Sequence, residues 1–152
     1  MGYSYAVVEQ AFAAVFRMRR PILHGRIAHL RRLGLVLEYP GKGARVAYQE
    51  DTIDLWYLAL VLTHLRLDPV LGVEIIKANQ VQLRRIFALA RQARCPEDHI
   101  IMMLDFSVPL NQLPQISYRR VGQSMPWQDF STAFDLSSHL MVLAEALGSH
   151  QK

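Results

Sequence analysis

The densest chemistry in this chain lies in "RMRRPILHGRIAHLRRLGLVLEYPGKGAR", residues 17–45, where eight Lys or Arg accompany a single carboxylate, Glu38. Cations at that density suit a polyanion, because each one set against a phosphate releases condensed counterions. Arg19 and Arg20 sit in a connector and can hold phosphates. Arg31 and Arg32 can reach phosphates or guanine edges, Arg26 is a further DNA-binding candidate, and polar His24 leaves the helix face open to the bases. Gly25 and Ala28 carry little or no side chain, so a helix backbone could approach base edges there. Lys42 stands between two glycines and Arg45 follows, as a loop tip lying along a sugar-phosphate backbone would need. The competing reading is a solvated basic face.

A second constellation, "CPEDH" at 95–99, places Cys95 and His99 four residues apart with two acids between them. It could be read as half a metal site or a thiol–imidazole dyad. A structural zinc needs four ligands, and no second Cys or His pair stands at suitable spacing. A loop with a helix cap is the favoured reading. With no phosphate-cradling glycine motif, nucleophile elbow or zinc-protease motif, nothing asks for an enzyme, a metal or a cofactor.

The charge is uneven along the 152 residues, whose net formal charge is +4. Residues 1–50 hold eight basic and three acidic side chains; residues 51–152 hold nine and ten. The N-terminal part is therefore the one expected to meet an acidic partner. The single cysteine excludes an internal disulfide and fits a reducing, cytoplasmic setting. The longest apolar run, "LWYLALVLTHL", is 11 residues, against roughly 20 for a membrane span. The N-terminus lacks the layout of a secretory signal.

These candidates need elements to hold them. Ser4 predicts the cap of a first helix over 5–16, with apolar Val7, Val8, Phe12 and Phe16 at helical spacing. Pro21 fits the first turn of a second helix that stops at Gly34. On it Leu23, Ile27 and Leu30 share the inward face; His24, Ala28, Arg31 and Arg32 share the other, and Arg26 falls beside the apolar positions. "LVLEY" and "ARVAY" flank "PGKG" as a hairpin. A third helix over 52–67 is apolar nearly all round, and one further helix runs from 70 to about 94. Strands are expected in "HIIMMLDFSV", "QISYRRV" and "FSTAF", and Asp135 caps a last helix over 136–147.

In order, then, come helix, turn, helix closing on Leu30, Gly34 and Leu35, a wing with Gly43, Arg45 and Tyr48, then Glu50-Asp51 opening the next helix. "LRLDPVLGVEII" at 65–76 follows. This order resembles the DNA-binding head of the MerR family of winged helix-turn-helix regulators, over roughly residues 5–77. One departure is that Ala28 stands where the family carries an arginine. The resemblance implies an α+β protein with a mostly helical winged head, residues 1–94, and a small α/β module, residues 95–152, for dimerisation or sensing. It implies sequence-specific binding to double-stranded DNA as a transcriptional regulator of bacterial or phage type, and a homodimer on paired half-sites. The alternatives are a winged-helix adaptor that binds protein instead of DNA, or a regulator sensing a small molecule. Ile76, Leu83 and Ala90 recur every seven residues, a short candidate seam for the dimer.

Overall fold

The structure, a computed structural model, describes residues 2–35, 47–109, 112–121, 123 and 131–150. Its elements are α1 (Tyr5–Val15), α2 (Arg20–Arg32), α3 (Glu50–His64), α4 (Pro69–Ala78), α5 (Gln80–Arg91), β1 (Ile100–Asp105), β2 (Gln115–Arg120), β3 (Ser131–Asp135) and α6 (Leu136–Ser149). This is an α+β protein, with helices first and then an antiparallel sheet in the order β2-β1-β3. The expected hairpin at 35–48 falls almost wholly on 36–46, outside the described residues. Just beyond that segment, Tyr48 exchanges two backbone hydrogen bonds with Tyr3, at 2.8 and 2.9 Å. No helix among the described residues is long and apolar enough to cross a membrane.

The chain divides into two compact units, Met1–Val73 with Val142–Lys152, and Glu74–Met141. Thus α5, placed with the head when the sequence is read alone, belongs with the sheet. The C-terminal half of α6 belongs with α1–α3. In the first unit Val8 and Phe12 of α1, Leu23, Ile27 and Leu30 of α2, and Ile53 and Trp56 of α3 are buried. Phe12, Phe16 and Tyr57 pack as an aromatic cluster with centroids 5.3–6.2 Å apart. Burial pushes the Tyr57 hydroxyl up to about 12, so it stays neutral at any ordinary pH.

The helix ends follow a shared rule. Ser4 accepts a hydrogen bond from the Val7 amide at the start of α1. Three helices then close in the same way, with two backbone bonds folding back over a residue of positive φ. After α2 that residue is Gly34, φ 82°, with Leu35 N–H on the Leu30 carbonyl and Gly34 N–H on that of Arg31. After α1 and α3 the same position is filled by Arg17, φ 48°, and Arg66, φ 65°. Met18 N–H reaches the Ala13 carbonyl, and Leu67 N–H that of Leu62.

The helix expected from 70 to 94 is two helices, because the chain breaks at Asn79. There the backbone leaves helical geometry, φ −113° and ψ 14°, and the side-chain amide donates to the Ile75 carbonyl at 2.8 Å. Asparagine offers the backbone this local alternative to a helical bond. In the second unit β1 alternates as a central strand should, burying Ile100, Met102 and Leu104. The β1 register pairs Met102 with Tyr118 on one side and Phe134 on the other. Gln82 of α5 donates to the Ile116 carbonyl of β2 at 3.0 Å. Ile76, Leu83 and Ala90 are buried within the single chain, so that heptad has no exposed seam to offer a second copy.

Asp135 caps α6, accepting from the Ser138 amide at 3.0 Å and from the Ser138 hydroxyl at 2.6 Å. Burial raises its carboxyl, but the Ser138 bonds and His99 outweigh that and hold it below its ordinary value. A lowered carboxyl contributes stability above its unfolded pKa and loses it as pH falls through the folded one. Asp135→Ala should therefore lower the melting temperature at neutral pH, by about 1 kcal/mol of cap, and matter less in acid. Equal melting shifts at pH 7 and pH 2 would contradict this.

Candidate nucleic-acid interface

The candidate residues are presented by α1, the turn at Phe16–Arg19 and α2. Arg19 opens α2 in extended conformation without a side-chain cap, and Pro21 occupies the first turn. No acid stands in that first turn, while His29, Arg31 and Arg32 stand in the last. The N-terminal end of α2 thus carries no acid of its own, and the carboxylate beside it is Glu9 of α1, which meets Arg20 and His24.

The inward face is as the spacing predicts, with Leu23 and Ile27 fully buried and Leu30 3% exposed. On the outward face His24 is exposed, its side chain 63% accessible, while Ala28 and Arg31 are not fully so. Gly25 and Arg32 are exposed, and a Cβ added at Gly25 would meet nothing within 4 Å. Ala28 is half-buried. His24 and Arg31 also meet α1. His24 Nδ1 lies 3.2 Å from Glu9 Oε1 and 3.2 Å from the Tyr5 hydroxyl. Arg31 is half-buried, and its charge acts on the Tyr5 phenol. Burial first, then the Glu9 carboxylate, push that phenol up to about 12 against the pull of Arg31. Gly25 also borders a groove of about 240 Å³ that Arg26 and His29 line with Ile22, Leu60 and Pro69. Lys42 and Arg45 lie outside the described residues.

Glu9 is the residue that the sequence reading leaves out. It is only 8% exposed, between Val8 and Phe12 on the buried stripe of α1. Arg20 reaches it with Nη2 at 2.9 Å and Nε at 3.3 Å. A carboxylate on an apolar stripe was the available signal, since a buried charge requires a partner. Which cation answers it, 11 and 15 residues away, no local pattern states. Arg20 is therefore both an exposed cation, its side chain 58% accessible, and a structural partner. Arg20→Ala should lower stability by about 1 kcal/mol, a figure kept small because the guanidinium is well solvated. Arg32→Ala should leave the melt unchanged. Equal melts for the two variants would show that Glu9 does not depend on Arg20.

In the second unit, Cys95 and His99 each have other partners. Cys95 Sγ donates to Asp98 Oδ2 at 3.2 Å, in a single helical turn, Pro96–Asp98. The hydrogen bond from that thiol to Asp98 raises its pKa, the opposite of an activated nucleophile. His99 Nδ1 lies 2.8 Å from Asp135 Oδ2, and the Ser138 hydroxyl lies 3.4 Å from the same nitrogen. A nucleophilic serine must address the ring nitrogen remote from the carboxylate. Here both meet Nδ1, so the trio reads as a helix cap with an imidazole attached. Among the described residues no group of three or more His, Cys, Asp or Glu is placed to hold a metal. No protein-family model matches the sequence, and no curated protein is similar enough to it to count as a relative.

Proposed function

We propose that this chain binds double-stranded DNA sequence-specifically, as a MerR-like winged helix-turn-helix transcriptional regulator. The observation that carries the reading is the exposed side of α2, where Gly25 is open to approach, Arg32 is exposed seven residues on along the same face, and Arg19 and Arg20 are exposed at the helix start. A helix entering the major groove needs that combination, small residues against the bases and cations toward the phosphates. In this reading α2 reads the groove, and the segment carrying Lys42 and Arg45 lies along the backbone. Lys42→Ala then weakens binding to all sequences about equally.

One exposed patch favours the adaptor reading. Ile22, 51% exposed, opens the groove lined by Leu60 and Pro69, and apolar grooves dock protein segments. Binding to a pool of genomic duplex fragments, followed by fluorescence anisotropy across a salt series, decides between them. The DNA reading requires binding that weakens steeply with salt; no binding at low salt leaves the adaptor. A regulator of this size gains affinity by pairing two half-sites, so the DNA-bound species is a homodimer. Light scattering that finds a monomer on a palindromic site would remove that part of the proposal.

A further inference from the structure

Arg17 occupies a backbone position that favours glycine. Its φ of 48° closes α1, with Arg17 N–H on the Ala14 carbonyl and Met18 N–H on that of Ala13. The same closure after α2 is made by Gly34, at φ 82°. A side chain at positive φ brings its Cβ against the backbone, a strain glycine escapes. The chain therefore tolerates a less stable turn at Arg17. The residue is exposed and stands two positions before Arg19, at the entrance to α2.

Arg66 holds the same exposed, positive-φ position after α3, so strain alone does not set Arg17 apart; its place two residues before Arg19, at the entrance to α2, does. The segment just ahead of a groove-reading helix runs beside the sugar-phosphate backbone, where a guanidinium can bind phosphate in a forked geometry. We infer that Arg17 is a DNA-backbone contact, retained in a glycine position because its cation binds phosphate. This rests on the DNA reading of α2 and adds a residue from the turn to it. The structural explanation is that Arg17 offsets the negative end of α1. The two accounts predict opposite signs.

The test compares Arg17→Gly and Arg17→Lys with the wild-type chain, by thermal melting and by DNA affinity across a salt series. Arg17→Gly should raise the melting temperature by about 2–4 °C, as Arg66→Gly should in the matching turn after α3. It should also weaken DNA binding and make the slope of log K against log salt shallower by about one. Arg17→Lys should keep the wild-type slope. If Arg17→Gly lowers the melting temperature, the arginine serves the helix end and the inference fails. An unchanged slope in Arg17→Gly overturns it equally. A wild-type chain that binds no DNA strikes the reading of α2 itself, a result distinct from either.

Discussion

Raising monovalent salt from about 50 to about 200 mM should weaken binding to duplex DNA by roughly a thousandfold, taking about six phosphate contacts. Four of the cations are exposed around the start and end of α2: Arg17, Arg19, Arg20 and Arg32. Lys42 and Arg45 supply two more from the segment between α2 and α3. Each neutralised phosphate adds about 0.9 to the slope of log K against log salt. Six therefore give a slope near 5, and a fourfold rise in salt carries the expected loss. Arg31 is left out of the count because it is half-buried toward α1. A slope near 1 would mean that the basic run is a solvated face with one incidental contact. A steep slope with no preference among sequences would keep the phosphate contacts and remove the base readout assigned to Gly25 and its neighbours.

Much of the frame of this protein can be read locally. Ser4 and Asp135 mark helix starts because the oxygen of a short side chain reaches the free amides of the first turn. Gly34 marks an end because positive φ favours glycine. The short apolar run "IIMMLD" gives β1, though not which side chains face inward, and the spacing of Leu23, Ile27 and Leu30 gives the buried face of α2. What escapes such reading is set by partners far along the chain or by residues that break the usual rule. Asn79 has only a weak preference against helix, and the break depends on its amide turning back to Ile75. Arg17 and Arg66 end helices where no glycine announces the end. Glu9 looks like a flaw in an apolar stripe until Arg20 and His24 arrive from α2. The grouping of the end of α6 with α1–α3 is a contact across most of the chain. Leu143 and Leu147 are buried there, so a deletion intended to remove only the residues after 95 would also strip apolar surface from the proposed reading head.

Leu30→Ala should destabilise the protein by about 2–5 kcal/mol, the range for opening a leucine-sized cavity in a core. The side chain is 3% exposed and sits on the same face as Ile27 and Leu23. Its carbonyl accepts the Leu35 amide that closes α2, and Leu35 is itself 2% exposed. The cavity therefore opens where the apolar face of α2 meets its terminating turn, a site with little freedom to collapse. At about 2–4 °C per kcal/mol for a chain of this length, the melting temperature should fall by about 10 °C. Below its melt, the variant should keep the wild-type salt slope on DNA, since no cation has moved. Arg32→Ala should do the reverse, leaving the melt within about 0.5 kcal/mol of wild type while making the slope shallower by about one. The pair separates the two faces of a single helix by two independent measurements, melting by circular dichroism and anisotropy against salt. If Leu30→Ala melts like the wild type while Arg32→Ala collapses, the faces of α2 are exchanged and the side assigned to DNA is the packed one.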